Sequence, residues 1–287
     1  MEKELVINQR IEWKRKQTFR NFLIFLLIAL VIICIGVPLF MALLWSLVNP
    51  DYPWSYPQSF PSHISLAQWK YVFKYTNIVR AIVTSFSIAP IAAVLSIFLS
   101  LPSAYALGRI RFPSREFFKI IILLPIILPG IVVALFLSRT LDFIGLSQNF
   151  FGLVLGHTLM CIPYMLRILT TSFEGIPQEV IDAAGNLGAT PFVKFKEIYI
   201  PLIKLGLFAG AILAFITSIE EFNLTFVIGT PTFETIPTIL FSFLGYNFIR
   251  TNAAVISIIL MIPNITLLFI VERFLKTGYL SAVLGKG

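Results

Sequence analysis

Apolar residues in this chain gather in long unbroken blocks instead of alternating or recurring on one helical face. Six blocks stand out, at about Phe22–Val48, Ile78–Leu107, Phe117–Leu137, Phe150–Thr171, Leu202–Ile228 and Ala253–Val271. Each holds about 20 residues or more, the length an α-helix needs to cross a hydrocarbon core of about 30 Å. Lipid offers the backbone no hydrogen bonds, so a spanning segment must satisfy its own, and helices are the expected form. The pattern predicts an all-α integral membrane protein with six transmembrane helices. The first block follows the basic run Lys14-Arg15-Lys16 with Arg20. Its 27 residues exceed the apolar stretch of a cleavable signal, which is about 7–15 residues, so it reads as a span.

The polar residues orient these blocks. Only 13% of residues are charged, against 57% hydrophobic, and the mean hydropathy is +0.89. A net charge of +8 would suit a nucleic-acid binder, but the basic residues lie beside the apolar blocks, where they set membrane topology. Of 22 Lys and Arg, only Lys70, Lys74, Arg80, Arg139 and Arg250 fall in alternate segments that would face outward. The rest fall in or near the tails and the segments Gly108–Glu116 and Ser172–Pro201. That bias predicts both termini inside: a cytoplasmic tail over 1–21, a membrane domain over 22–272 and a second cytoplasmic tail over 273–287. The outer segment Asn49–Asn77, with Pro50, Tyr52, Pro53, Trp54, Tyr56 and Pro57, reads as a packed outer cap. Cys34 and Cys161 sit inside apolar blocks as small hydrophobes and form no metal-binding spacing.

One inner segment, 173–201, has the punctuation of two short helices. Pro177 suits a first helical turn, and Glu179 sits where a negative charge favours a helix start. Gly188 can end that helix in the left-handed conformation. Thr190-Pro191 reads as an N-cap followed by a first-turn proline, and Pro201 opens the fifth span. Val180, Ala183, Ala184 and Leu187 share one face, while Gln178, Asp182 and Asn186 share another. The result is a small amphipathic knob, more than a connector needs.

Asp182-Ala183-Ala184, three residues, Gly188, nine residues, then Ile198-x-Ile200-Pro201 resembles the cytoplasmic motif of ABC importer permeases. The family pattern is E-A-A, three residues, G, nine residues, I-x-L-P. Asp182 stands for the usual Glu and Ile200 for the usual Leu. Two further strings, Gly156–Tyr164 and Ser218–Phe222, resemble the polyamine and opine/aminophosphonate branch, as do Thr235-Ile236-Pro237 and Ala253-Ala254. Related branches carry iron, thiamine, sulfate or sugars. The resemblance implies a type I importer permease whose coupling helix inserts into a cleft on a separate ATPase. It implies coupling roles for Asp182, Ala183, Ala184, Gly188, Ile198 and Pro201. It also implies a second, homologous permease subunit, two ATPase subunits holding ATP and Mg, an extracytoplasmic solute-binding protein, and a bacterial plasma (inner) membrane setting.

Five residues are candidates for a solute path: Glu220, Glu221, His157, Tyr164 and Asn223. An ionisable group inside a span normally faces protein or water, because exposure to lipid costs about 3 kcal/mol or more. The adjacent glutamates could attract an amine-bearing solute such as a polyamine, or they could cap an interhelix contact. His157 and Cys161, one turn apart, could share a metal, yet no further ligand is near in sequence. The chain has no G-x-x-x-x-G-K-[ST] loop, so no cofactor is expected in it and ATP falls to another polypeptide. Import of a sugar by the same machinery is one alternative. An ion-coupled secondary transporter is another, but it predicts repeated halves and broken helices, and it leaves the inner knob unexplained. The Gly152/Gly156 and Gly206/Gly210 pairs permit close helix approach.

Overall fold

The computed structural model describes the backbone of residues 2–284 except 56, and the side chains of 13–273 except 15 and 56. Most of both expected tails, and Tyr56 of the outer cap, therefore lie outside the described side chains. Among the described residues the regular structure is helical: α1 Glu2–Ser46, α2 Ala67–Tyr75, α3 Ile78–Arg109, α4 Arg115–Ile122, α5 Leu124–Ile127 and α6 Gly130–Phe143 come first. They are followed by α7 Phe150–Glu174, α8 Gln178–Asn186, α9 Pro191–Lys194, α10 Ile200–Ile219, α11 Ile236–Phe241 and α12 Arg250–Leu284. Five helices are long and apolar enough to cross a membrane, and a bent pair makes a sixth.

Two compact units are present. The first holds residues up to 70 together with 250–255. In it, α1 from Phe22 to Leu43 exposes nearly all its side chains, an apolar surface suited to lipid. The outer segment closes on the end of α1: Trp45 packs on Trp54 at 4.7 Å, Tyr52 stacks on His63 at 4.1 Å, and Val48 bridges to Ile64.

The second unit is built on α3, α7 and α10. One face of α3 carries Ala81, Ser85, Ala89, Ala92, Ser96 and Ser100, all buried, at steps of three and four. Such a seam lets neighbouring backbones approach closely. At its end, a Cβ on Gly108 would lie 2.6 Å from Phe173 Cβ and 3.0 Å from the Thr170 carbonyl, so α3 there touches α7 backbone. Gly210 of α10 faces Met165 of α7 at 2.6 Å by the same measure, whereas Gly156 faces Leu224 at 2.7 Å. The two glycine pairs thus serve different contacts.

Two expected spans are redrawn. The third is not a straight helix over Phe117–Leu137. Residues Arg115–Ile127 and Gly130–Phe143 meet at 102°. Leu128 precedes a proline and is extended (φ −73°, ψ 145°), which the Pro129 ring enforces. The fifth starts earlier, at Pro191, and ends at Ile219 instead of Ile228. Its early part widens into a π turn, Phe195–Tyr199, two residues before Pro201, whose ring would clash with a carbonyl four residues back in a regular helix. Beyond Ile219, Glu221 accepts a hydrogen bond from the Leu224 N–H at 2.8 Å and starts a separate π turn, Thr225–Gly229. An additional short apolar helix, α11, runs through a π turn to Tyr246. Ser85 of α3 accepts a hydrogen bond from the Ile236 N–H at 3.0 Å and fixes where α11 begins.

Gly108→Ala should destabilise the fold by about 1–3 kcal/mol through overpacking. Gly36→Ala, with nothing within 4 Å of the new carbon, should not. Thermal unfolding of both variants in detergent micelles checks this, and equal midpoints would contradict it.

Candidate coupling site and the polar groups of the helix core

Helix α8 is closed at both ends by its own sequence. Pro177 occupies the N-cap with extended backbone (φ −59°, ψ 135°), one place outside the expected first turn. At the other end Gly188 takes φ +81°. The Ala189 N–H then reaches the Ala184 carbonyl at 3.0 Å and the Gly188 N–H reaches Gly185 at 2.9 Å, the paired bonds of a Schellman ending. Thr190 caps the next helix, its hydroxyl accepting from the Val193 N–H at 3.4 Å. The knob is therefore a stiff hairpin.

The apolar stripe of α8 is not the face that anchors it. The face of Val180, Ala183, Ala184 and Leu187 turns outward: Leu187 is 88% exposed, and only Ala184 is half-buried. Ile181 is the buried residue of α8, and it joins the cluster of Phe173, Ile176, Tyr199 and Ile203. Tyr105 of α3 supports that cluster edge-on, with ring centroids 5.6 Å from Phe173 and 5.3 Å from Tyr199. A cavity of about 360 Å³ lies between Ile181, Tyr105, Tyr199, Phe195, Pro191 and Lys194. Phe192, 73% exposed, is a further apolar residue turned outward, on α9. Ile198 is half-buried against the same core, and Pro201 is exposed in the first turn of α10.

Polar contacts tie the knob to the bundle. Arg109, the last residue of α3, donates to the Ile176 carbonyl at 2.8 Å, to the Phe173 carbonyl at 3.4 Å and to Gln178 Oε1. Its guanidinium also lies over the Tyr199 ring at 5.7 Å. Gln178 donates onward to Asp182 Oδ1 at 2.8 Å. Glu174 pairs with Arg115 at 2.7 Å and Lys119 at 2.8 Å. Sequence reasoning counted Arg109 only as a topology charge and left out Ile181 and Phe192. The i+4 spacing of Gln178 and Asp182 was the one available signal of that polar chain.

The five path candidates are not gathered into one site. His157 is buried, with Nδ1 2.9 Å from Ser218 Oγ and Nε2 3.0 Å from Thr225 Oγ1, so it bridges α7 to α10 and to the turn beyond. Cys161 donates to the Ala214 carbonyl at 3.2 Å. No three metal-capable side chains converge among the described residues. Glu220 accepts from Asn264 Nδ2 of α12, and Glu221 caps the turn described above. The Asn223 amide lies against Gly130, where a Cβ would come within 2.7 Å. Tyr164, half-buried, lines a cavity of about 460 Å³ with Arg167, Ile168, Thr171, Ser172 and Leu213.

Up to six helices of membrane-spanning length and a stiff, outward-turned knob define a polytopic transport-type membrane protein. Residues 96–279 match the family described as binding-protein-dependent transport system inner membrane component, and the chain belongs to that family. Among its relatives, a probable molybdenum ABC transporter permease of Haloferax volcanii is 28% identical, over 53% of this chain and 59% of its own length. The trehalose transport system permease protein SugB of Mycobacterium tuberculosis is 28% identical, over 77% of this chain and 82% of its own. The spermidine/putrescine transport system permease protein PotC of Haemophilus influenzae is 26% identical, over 60% and 66%. The chain thus spans less than two thirds of the first and third of these relatives. A chain of a bacterial ABC transporter involved in import of the acidic polysaccharide alginate shares the fold, with a TM-score of 0.73, 20% identity, and coverage of 91% of this chain and 98% of that one.

His157→Leu should destabilise the protein by about 1–3 kcal/mol, because it leaves the buried Ser218 and Thr225 hydroxyls without their shared partner. Thermal unfolding in micelles measures this. Chelation by EDTA should leave the wild-type midpoint unchanged.

Proposed function

We propose that this chain is a permease subunit of an ATP-driven, binding-protein-dependent importer in a bacterial plasma membrane, with both termini in the cytoplasm. It forms part of the solute path together with a second, homologous permease. Two ATPase subunits hold ATP and Mg, and a solute-binding protein delivers the solute from outside. The chain itself carries no catalytic role. The observation that carries this reading is the Asp182-Ala183-Ala184…Gly188…Ile198…Pro201 spacing on a capped helix whose apolar face, Val180 with Ala183 and Leu187, is turned outward. An outward apolar face on a stiff tip fits insertion into a cleft of another protein, since its burial is unpaid within this chain.

ATP binding and hydrolysis in the partner would move α8, and the bundle would alternate between outward-open and inward-open arrangements. Selection of the solute falls to the receptor. Glu220 and Glu221, read from sequence as attractors of an amine-bearing solute, already serve Asn264 and the Leu224 N–H. They contribute to the path first by shaping the break after α10. The relatives named for trehalose, spermidine/putrescine and molybdenum are compatible with one machinery serving several solute classes.

Ala183→Glu should uncouple hydrolysis from uptake, because it places a charge on the outward apolar face without entering the fold's core. Leu187→Cys should crosslink to the ATPase in active membranes. Receptor-dependent uptake in right-side-out vesicles measures the first and crosslinking the second. Full uptake by Ala183→Glu, or no Leu187→Cys crosslink, would refute the assignment.

A further inference from the structure

Helix α8 meets the bundle through little apolar surface, because Ile181 is its one buried residue. Apolar contact is non-directional and tolerates sliding. Hydrogen bonds do not, since they weaken steeply outside a narrow range of distance and angle. The register of the knob against the bundle is therefore set by its polar contacts, and these converge on Arg109.

The guanidinium of Arg109 meets four groups from three segments. It donates to two carbonyls at and just past the end of α7, Phe173 and Ile176, and to Gln178 at the start of α8, and it covers the Tyr199 ring in the π turn before α10. Its planar fork of five donors suits several acceptors at once, which a lysine ammonium on the same stem cannot match. Arg109 is also the last residue of α3, whose end is held rigidly. Gly108 lies against Phe173 with no room for a Cβ. Arg115 donates to the Leu107 and Gly108 carbonyls and pairs with Glu174. The ends of α3 and α7 thus form one body. From that body a single polar chain leads outward: Arg109 to Gln178, and Gln178 to Asp182 at 2.8 Å. The Gln178 amide is oriented by the charges on either side, its oxygen toward the guanidinium and its nitrogen toward the carboxylate.

We propose that Arg109 is a positioning residue that transmits movement of α8 to the joined ends of α3 and α7, with Gln178, itself steadied within α8 by Asp182, as its link. This rests on the transport reading above. A displaced α8 either drags the body through this chain or breaks it. The geometry assigns the guanidinium the first outcome, because its two backbone acceptors hold it to α7 while its side-chain acceptor holds it to α8.

The test uses the whole transporter, reconstituted in nanodiscs with its ATPase, second permease and receptor. The readout is the ratio of receptor-stimulated to basal ATP hydrolysis, with the Leu187→Cys crosslink to the ATPase as a measure of docking. Arg109→Ala should lower the ratio about tenfold, the scale of a hydrogen bond to a charged group, with the crosslink retained. Arg109→Lys should recover only a minor part of it. Gln178→Ala should lower the ratio about threefold, and the double variant should be no worse than Arg109→Ala, since both remove one chain. A ratio within about twofold of wild type, an additive double variant, or loss of the crosslink in Arg109→Ala would each overturn the proposal. Should Arg109→Ala not accumulate in membranes, the exposed Gln178 decides alone, and a wild-type ratio in Gln178→Ala overturns it. Absence of the Leu187→Cys crosslink in otherwise wild-type protein defeats the transport reading itself, a distinct result.

Discussion

Close approach of α3 to α7 governs the second unit. Ala81, Ser85, Ala89, Ala92, Ser96 and Ser100 form one buried face of α3, and the seam ends at Gly108, where a single methyl group would collide with Phe173. In lipid, helices gain nothing by hiding apolar surface from each other, so packing at short range carries the association. Small side chains maximise that contact. They also leave serine hydroxyls in the seam, one of which, on Ser85, holds the start of α11. Everything at the basic end then follows. With α3 and α7 locked together, Tyr105, Phe173 and Tyr199 can meet edge-on, and Ile181 finds a fixed socket.

Polar groups in the spans act as connectors. His157 joins α7 to α10 and to the turn beyond it through two hydroxyls, and Glu220 joins the end of α10 to α12 through Asn264. A buried imidazole with both nitrogens engaged fixes the distance between its partners. The same logic holds outside the apolar region, where Glu174 gathers Arg115 and Lys119. Directional bonds set where elements stop and how they are registered, while the apolar seam sets how near they come.

Much of this was readable from the chain. Block length and the distribution of Lys and Arg gave the helical membrane class, and Gly188 and Thr190-Pro191 foretold real caps. Where the reading failed, local chemistry overrode hydropathy. A hydropathy average crosses Leu128-Pro129 without noticing that a residue before proline is driven out of the helical region, so the 102° bend was missed. It likewise ran the fifth span on to Ile228, because Phe222 and Val227 look like more of the same apolar block, although Glu221 had already started a new turn. In the knob, periodicity correctly grouped Val180, Ala183 and Leu187 but gave no sign of which way they point. An apolar stripe is inward only if nothing outside the chain is meant to cover it. Ile181 took the inward place because the aromatic cluster lies on its side.

Exposure along α1 has a consequence for how this sequence can drift. Between Phe22 and Leu43 nearly every side chain is exposed, so the main demand on most positions is that they suit a hydrocarbon medium. Leucine, isoleucine, valine and phenylalanine are then nearly interchangeable there, and lineages should exchange them freely. Along the seam of α3 the demand is on volume, and polarity is secondary, so serine, alanine and glycine form the permitted alphabet. Two helices of membrane-spanning length would therefore diverge under opposite rules, one blind to size and the other ruled by it.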